Sequence, residues 1–435
     1  MGSELRLVCT GDLHLGRSPS RAPAEADDSA CSPRGVWART VDLAVDREAD
    51  AVVVTGDIVD EENEYIEAYG VFEREVIRLD DAGIPILIVS GNHDWDLVPD
   101  MVDDLGIGNV RLLGRDGNWE RHTLDGRNGA RAHIDGWSFP AKQVTRSPLS
   151  AYEFDTDTDD PVIGVAHIDL DATESRYAPV RTAELRGTGA DAWLLGHIHV
   201  PGTRVDSDPL ILYPGSPQGL DPGEPGCHGP WEVTVDTDSS ATVTARQQPL
   251  AKLRYDTLSV DVSGVDEPTD LPSLISERAR DHVQTDVDVE TVDHVVMKLT
   301  LTGRTPAHTA LRDYREDILN TERREAGVQV TIGDLTLDTR PDIDLENLAD
   351  SDGPAGYLAE LLLSIQEDTV RDNHSDLVDD AADTLEAVYG ADAYRELRRE
   401  RDQFTRPDEE DAVNRLEQQA QLVLDKLVQQ VEGDV

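Results

Sequence analysis

Lysine and phenylalanine are scarce in this chain, which contains four phenylalanines among its 435 residues. The only lysines are Lys142, Lys252, Lys298 and Lys426, so the remaining basic residues are arginines. Acidic residues are abundant by contrast, since 89 aspartates and glutamates face 39 basic residues and give a net charge of −50. This composition is typical of proteins in the cytoplasm of a salt-in halophile, where salt shortens the Debye length to about 3 Å or less.

A disordered or acidic partner-binding chain is an alternative explanation of the charge. Apolar segments with regular spacing run through the sequence, and disordered chains are not expected to contain them. Negative charge also speaks against nucleic acid as a partner, but counterion release contributes little to affinity at high salt. We therefore treat the net charge as neutral evidence about DNA binding.

The chain has only three cysteines, Cys9, Cys31 and Cys227, and no two of them form a CxxC pair. This spacing provides neither a zinc knuckle nor a disulfide framework. The sequence also lacks an apolar run of membrane length and the pattern of a secretory signal peptide. We therefore expect a cytoplasmic protein with no membrane segment.

Short apolar segments rich in β-branched residues alternate with amphipathic ones in the first half of the chain. The pattern predicts strands at 5–10, 51–55, 85–89, 162–166 and 192–195. It predicts helices at about 34–48 and 61–82. Such alternation is typical of an α/β core with strands buried on both faces.

The rest of the chain divides into segments of different character. A strand–turn–strand pattern ends near residue 248, and β-branched strands at 258–262, 294–302 and 328–337 with a helix near 307–325 predict a small α+β unit. The sequence after Pro341 is helical in pattern. We therefore expect domains at 1–250, 251–341 and 342–435.

Polar motifs follow most of the predicted strands directly. Their members are Asp12 and His14, Asp57, Asn92 with His93 and Asp94, His167, and His197 with His199. Ligands bind outside the carboxyl ends of strands in α/β sheets, so we expect these motifs to converge in space. Asp60 is predicted to cap the helix that follows it.

Carboxylate, amide and imidazole groups in this number can hold two adjacent divalent metal ions. Mixed oxygen and nitrogen ligation favours manganese, iron or zinc over magnesium. Two such ions suit the hydrolysis of phosphate esters, and the Asp57 carboxylate is our candidate for the bridging ligand. His93 then remains to donate a proton to the leaving oxygen, and Asp94 is expected to orient it.

The order of these motifs resembles that of the calcineurin-type metallophosphoesterase superfamily. Thr10-Gly-Asp-Leu-His-Leu-Gly16, Gly56-Asp-Ile-Val-Asp60, Gly91-Asn-His-Asp94, Gly196-His-Ile-His199 and Tyr213-Pro-Gly-Ser-Pro-Gln-Gly219 are similar to the SbcD-like DNA repair exonucleases, in particular the YhaO-type branch. Val260-Asp-Val-Ser-Gly264 and Leu301-Thr-Gly-Arg-Thr-Pro306 resemble the capping region of that branch. Gly11 is a departure, because many relatives carry alanine before the aspartate.

The resemblance implies a fold and a set of roles. It implies a four-layer β-sandwich nuclease domain flanked by helices, an α+β cap and a C-terminal helical region. Asp12, His14, Asp57 and His199 would hold one Mn²⁺-type ion, Asp57, Asn92, His167 and His197 the other, and His93 would be catalytic. The implied protein is a homodimer that cuts DNA as an exonuclease or endonuclease and partners an SMC-type coiled-coil ATPase docked on the C-terminal helices.

Two other functions remain open at this point. The same ligands would serve a phosphodiesterase or phosphatase for small nucleotides or phosphoproteins, although about 185 further residues suit a polymer and a protein partner better. A binding scaffold that had lost its chemistry would have no need of the intact ligand set and His93.

In the C-terminal region, a heptad-like stripe either packs on its own domain or docks the ATPase. Its members are Val413, Leu416, Ala420, Val423 and Leu427.

Overall fold

The computed structural model describes residues 4–23, 26, 29–60, 65–172, 174–206, 209–237, 242–320, 323–391 and 407–433. The chain divides into two compact units. The first consists of Met1–Ser259, Pro272–Thr300 and Glu316–Thr336. The second consists of Val260–Leu271, Leu301–Arg315 and Leu337–Val435. The predicted domain boundaries at 250 and 341 stay a prediction.

The described residues form the following strands and helices. The strands are β1 Glu4–Thr10, β2 Ala51–Val54, β3 Ile86–Ile88, β4 Val110–Leu112, β5 Glu120–Asp125, β6 Arg131–Trp137, β7 Val162–His167, β8 Asp169–Leu170, β9 Pro179–Val180, β10 Ala192–Gly196, β11 Gly202–Val205, β12 Leu210–Tyr213, β13 Trp231–Asp236, β14 Thr242–Gln247, β15 Leu253–Asp261, β16 His294–Thr305, β17 Arg323–Glu325 and β18 Val328–Pro341. The helices are α1 Pro33–Asp46, α2 Tyr65–Asp81, α3 Leu97–Leu105, α4 Thr182–Gly187, α5 Leu271–Asp286, α6 Ala310–Asp313, α7 Arg315–Leu319, α8 Leu345–Ala349, α9 Pro354–Gln366, α10 Val370–Asn373, α11 Ser375–Gly390 and α12 Glu409–Gly433.

The first unit is built on two six-stranded sheets. Their strand orders are β14-β13-β1-β2-β3-β4 and β11-β12-β10-β7-β6-β5. Strands β1 to β4 run parallel, as do β6, β7, β10 and β12. Consecutive buried residues such as those of β2 and β7 explain this arrangement, because parallel strands covered on both faces need apolar side chains throughout.

The two sheets pack face to face and are covered on their outer faces. Leu7 and Val53 of the first sheet share a buried cluster with Ile163 and Leu194 of the second. The outer face of the first sheet packs against α1, α2 and α3, and the outer face of the second packs against Leu185 of α4 and surrounding loops. These layers confirm the predicted α/β fold, a four-layer sandwich flanked by helices. The five strands predicted in the first half correspond to β1, β2, β3, β7 and β10.

A four-stranded sheet with the order β15-β16-β18-β17 follows the sandwich along the chain. Its strands confirm the β pattern predicted between residues 258 and 337, and α5 packs on it through Ala279 and Val283. The single helix predicted at 307–325 is wrong in its continuity and its end. Two short helices, α6 and α7, cover residues 310–313 and 315–319, and Arg323–Glu325 pairs antiparallel with β18 instead.

The C-terminal region is helical, as expected, and α12 packs on α9 and α11. Val413, Leu416 and Ala420 lie in the shared cluster, whereas Val423 is 45% exposed and Leu424 takes its place in the core. The buried carboxylate of Asp425 pairs with Arg304 and Arg340 and anchors α12 further. Within the described part of the chain, no helix has both the length and the apolar character needed to cross a membrane.

Candidate metal centre

Every predicted ligand except His199 lies at or just beyond the carboxyl end of a parallel strand. Asp12 and His14 follow β1, Asp57 follows β2, Asn92 follows β3, His167 ends β7 and His197 follows β10. Hydrogen bonds join the two sheets at this edge, because the backbone N–H of His197 donates to the Asp12 carboxylate over 3.1 Å. The sandwich therefore brings motifs that are far apart in sequence to one place.

Several of these residues have a strained backbone. Asp12, His14 and Asp57 have φ angles of 47°, 45° and 50°, and His197 has 104°. L-residues rarely adopt such angles, at a cost of about 1–3 kcal/mol each, and they persist where neighbouring contacts hold them. Here the N–H of Asp12 donates to Gly56 O and that of His14 to Asp57 O, at 2.9 and 3.0 Å. Strain concentrated in this way is typical of a functional site.

Asp12, His14 and His199 form a first group of possible metal ligands. One donor atom from each lies within 4.8 Å of the others. The Nε2 atoms of His14 and His199 are 3.1 Å apart, so both imidazoles point at the same position. Nδ1 of His14 is buried without a hydrogen-bond partner among the described residues. Three donors thus converge on one point from loops after β1 and β10.

Asp12, Asp57 and His167 form a second group with the same spacing. Nε2 of His167 lies 3.3 Å from an Asp57 oxygen and 3.1 Å from Oδ1 of Asn92. Nδ1 of His167 lies 3.0 Å from the carbonyl oxygen of Thr55, a contact that assigns its proton to Nδ1 and leaves Nε2 for a ligand. Asp12 is common to both groups, and a bridging role for Asp57 stays a prediction.

His197 lies beside the second group rather than in it. Its ring centroid is 5.3 Å from that of His167, and its Nε2 is 4.0 Å from an oxygen of Asp169. His93 is next to the first group, since its ring meets that of His14 edge-on at 5.3 Å. The structure therefore gathers all the sequence-predicted ligands and His93 at one site.

Burial has the largest effect on the titratable groups of the site. It raises the pKa of Asp12 to about 6, although His167 acts in the opposite direction. It lowers the pKa of His14 and of His197 to about 3. Burial alone would lower the pKa of His167, but its pairing with the Asp57 carboxylate outweighs this and raises that pKa to about 9.

The donor set fits divalent cations. Asp12 and Asp57 are almost completely buried next to each other, and no arginine or lysine pairs with either carboxylate in the described ranges. His167 relieves part of the cost of two adjacent buried carboxylates, and a divalent ion held by oxygen and imidazole nitrogen would remove the rest. The chemistry of the donors therefore agrees with a metal centre of the manganese, iron or zinc type.

Close approach of the loops requires glycine beside two of the ligands. A Cβ atom at Gly91 would lie 2.1 Å from Oδ1 of Asp57. A Cβ atom at Gly196 would lie 2.0 Å from the carbonyl oxygen of Thr55 and 2.5 Å from Nδ1 of His167. Both glycines thus keep the space that the ligands occupy, which explains their place in the Gly-Asn-His-Asp and Gly-His-Ile-His motifs.

Asp94 supports the loops rather than the His93 ring. Its two carboxylate oxygens accept hydrogen bonds from the backbone N–H groups of Gly91 and Ile58, at 2.8 and 2.6 Å. The carboxylate facing the His93 ring is that of Asp60, whose Oδ1 lies 3.5 Å from Nδ1. The expected contact between Asp94 and His93 is therefore corrected, because Asp94 is already engaged by the backbone.

Asp60 and Glu224 are parts of the site that the predicted ligand set leaves out. Asp60 also lies 3.8 Å from Nδ1 of His14 and 3.7 Å from Nε of Arg17. Glu224 is buried, and its Oε1 lies 2.7 Å from Nδ1 of His199. For Asp60, its position three residues after Asp57 is a signal, whereas Glu224 lies in a Gly/Pro-rich loop without a recognised pattern.

Comparisons with known proteins agree with this geometry. Residues 5–201 match the calcineurin-like phosphoesterase family, and residues 255–340 match the middle domain of metallophosphoesterase YhaO. The metallophosphoesterase YhaO of Bacillus subtilis is 27% identical over 289 residues, which are 64% of this chain and 68% of that protein.

Archaeal proteins are similar to the chain as well. The DNA double-strand break repair protein Mre11 of Haloferax volcanii is 28% identical over 263 residues, 58% of this chain and 54% of that protein. Mre11 of Halobacterium salinarum is 26% identical over 369 residues, 80% of this chain and 83% of that protein. Residues 5–201 are thus a calcineurin-like phosphoesterase domain and residues 255–340 a YhaO middle domain, and the YhaO and Mre11 relatives support an SbcD/Mre11-like branch.

Proposed function

We propose that this protein is a two-metal DNA nuclease that processes ends in double-strand break repair. The observation that carries the proposal is the convergence of two ligand groups beside His93. Its relatives named Mre11 are DNA double-strand break repair proteins, which supports DNA as the substrate class. A phosphodiesterase for small nucleotides or other phosphoesters is the alternative function, and the experiment below separates the two.

Seven side chains are proposed to bind two divalent ions, with Mn²⁺ as the preferred metal. Asp12, His14, Asp57 and His199 would hold one ion, and Asp57, Asn92, His167 and His197 would hold the other. Bound there, the ions would supply Lewis acidity toward the phosphoryl oxygens and offset the charge that accumulates during hydrolysis. The protein contributes donors that are held in place before substrate arrives, because the strained loops and the buried carboxylates leave them little freedom.

His93 is proposed to donate the proton that the leaving oxygen needs. Its Nδ1 faces the Asp60 carboxylate at 3.5 Å, so Nε2 is the nitrogen available to the substrate. With 42% of its side chain exposed, the ring can reach a bound phosphodiester. Asp60 would keep the proton on Nδ1 and hold the ring plane, leaving Nε2 to exchange the catalytic proton.

The homodimer and the SMC-type coiled-coil ATPase partner are part of the proposal, as is a halophilic archaeal source. Leu422 and Val423 on α12 are 40% and 45% exposed, and an apolar pair in that position is suited to contact with another helix. Replacing both by aspartate is expected to release a co-purifying ATPase while the fold is retained. Retention of the ATPase by that variant would contradict docking on α12.

The test of the nuclease proposal compares DNA with a small diester. Purified protein is incubated with Mn²⁺ and labelled linear duplex, single-stranded DNA or bis-p-nitrophenyl phosphate, and His93→Ala is the matched control. Cleavage of DNA that the substitution abolishes supports the proposal. Hydrolysis of the small diester with both DNAs untouched favours the alternative phosphodiesterase.

A further inference from the structure

Two segments beside the metal centre contain no acidic residue. Aspartate and glutamate account for 89 of the 435 residues, yet neither occurs in 136–152 or in 175–183. The same segments carry Lys142, Arg146, Arg176 and Arg181, and Lys142 is one of only four lysines. In a chain with a net charge of −50, such a local reversal needs an explanation.

The two segments lie side by side. The backbone N–H of Val144 donates to the carbonyl oxygen of Arg176 over 2.8 Å. The N–H of Ala178 donates back to the carbonyl oxygen of Val144 over 2.7 Å. These hydrogen bonds combine residues 139–146 and 175–181 into one surface, which we call the basic rim.

Both parts of the basic rim start at proposed metal ligands. The ring of Phe139 meets the His167 ring edge-on, with centroids 5.7 Å apart. The ring of Tyr177 lies 5.1 Å from that of His197. Because His167 and His197 are themselves adjacent, the rim extends directly from the second ligand group toward solvent.

The cationic side chains of the rim are exposed to solvent. Arg146 and Arg176 make no ion pair with any other described residue. Elsewhere on the surface, arginines are commonly paired, for example Arg115 with Asp103. Two of the nearby acids have other partners, since Asp169 faces His197 and the Asp171 carboxylate accepts hydrogen bonds from Thr182, and the exposed Glu174 makes no ion pair with a described residue. The two arginines therefore present positive charge that the described residues do not neutralise.

We propose that the basic rim binds the phosphodiester backbone of a DNA strand and leads it to the metal centre. The inference rests on the proposed nuclease function and adds the path by which a polymeric substrate reaches the site. Evenly spaced phosphates match several separate cations, whereas a small diester would engage the metal centre alone. Guanidinium groups suit this task because they form paired hydrogen bonds with phosphate oxygens.

The test is a double substitution, Arg146→Gln with Arg176→Gln, and its control is Arg312→Gln with Arg415→Gln. Both control arginines are exposed and outside the rim, so the two variants have the same net charge. Binding of a fluorescent DNA duplex is measured by anisotropy without divalent metal, over KCl concentrations that leave the circular dichroism spectrum unchanged. The logarithm of the affinity falls as the logarithm of the salt concentration rises, and we expect the magnitude of this slope to decrease by about 2 in the rim variant only.

Hydrolysis of bis-p-nitrophenyl phosphate is the second measurement, and it should be unchanged in both variants. An equal loss of DNA binding in rim and control variants would overturn the basic rim while leaving the nuclease proposal intact. Loss of small-diester hydrolysis in the rim variant would also overturn the basic rim, because the arginines would then act on the metal centre. A wild-type protein that neither binds nor cuts DNA would overturn both the basic rim and the nuclease proposal. Tighter binding of a matched RNA duplex than of the DNA duplex would reject DNA as the ligand of the rim.

Discussion

Glu224 holds the ring of His199 through a contact of 2.7 Å between its Oε1 and Nδ1. The other carboxylate oxygen accepts a hydrogen bond from the backbone N–H of Leu220, and the carbonyl oxygen of Glu224 lies 3.1 Å from Nε2 of His228. The carboxylate is thus fixed from two sides, and it sets the tautomer of His199 that presents Nε2 toward His14.

Loss of this contact should weaken metal binding. For Glu224→Gln and Glu224→Ala we expect the affinity for Mn²⁺ to fall by about 10- to 100-fold, more for alanine, because His199 loses the partner that orients it. The affinity is measured by isothermal titration calorimetry. Glu232→Gln is the control, since Glu232 bonds Gln248 outside the site. Unchanged Mn²⁺ affinity in both Glu224 variants would show that the carboxylate only supports its loop.

Gly11 precedes the first ligand, Asp12, and the Thr55 side chain leaves no space for a larger residue at that position. A Cβ atom at Gly11 would lie 2.0 Å from Oγ1 of Thr55, which is buried without a hydrogen-bond partner in the described ranges. We therefore expect Gly11→Ala to lower the free energy of unfolding by about 1–3 kcal/mol through overpacking. Adding Thr55→Ala should recover part of the loss, because it removes the clashing oxygen without breaking a hydrogen bond.

Thermal unfolding in high salt checks this pair. Gly70→Ala is the matched control, because the site lies in α2 with open space around it and alanine is the better helix former. We expect that control to be neutral or stabilising by up to about 1 kcal/mol. Equal destabilisation by Gly11→Ala with and without Thr55→Ala would contradict the clash as its cause.

His282 should make stability depend on pH. A hydrogen bond with Asp256 over 2.9 Å raises the pKa of His282 above its ordinary value of 6.5, with Asp286 nearby and Arg254 opposing. The raised pKa means that the stabilisation is complete below pH 6.5 and is lost as pH rises through the folded-state pKa. The stability difference between the wild type and His282→Gln should therefore be largest below pH 6.5 and shrink as the pH rises above it.

His122 should give the opposite pH dependence of stability, because its pKa is lowered rather than raised. Burial, with a smaller contribution from Arg111, lowers the pKa of His122, so its folded form resists protonation. The wild type should then lose more stability than His122→Gln as pH falls below 6.5, with little difference above it. Thermal unfolding across the pH range measures both variants. If the stability of His282→Gln and that of the wild type changed with pH in parallel, the stabilising contact between His282 and Asp256 would be contradicted.

Much of the core and of the ligand set could be predicted, because both depend on local patterns. Uninterrupted apolar runs such as Ala51–Val54 occur where a strand is covered on both faces, and the ligands follow those strands directly. Helix α5 is missing from the predicted elements, although Leu271, Ile275, Ala279 and Val283 repeat every four residues and are buried. That signal is readable, but the β-branched strands around it dominate the pattern.

Contacts between distant loops were not predictable in the same way. Glu224 is one of 89 acidic residues, and only the fold shows that it faces His199 rather than solvent. Adjacency in the sequence suggests that Asp94 contacts its neighbour His93. In the structure, the turn directs the Asp94 carboxylate to the backbone N–H of Ile58, on the adjacent loop. Partner choice of a polar side chain depends on the tertiary arrangement, and a single sequence does not contain that information directly.

The measurement that tests the central claim most directly is Mn²⁺-dependent cleavage of a labelled linear duplex by purified protein, in about 2–3 M KCl to screen the acidic surface. We expect wild-type cleavage that chelation of the metal removes, and a loss of at least about 100-fold in His93→Ala, the scale of a missing proton donor. Equal Mn²⁺ affinity of the two proteins would assign that loss to proton transfer. Cleavage by His93→Ala at the wild-type rate, or cleavage that persists with the metal chelated, would contradict the account.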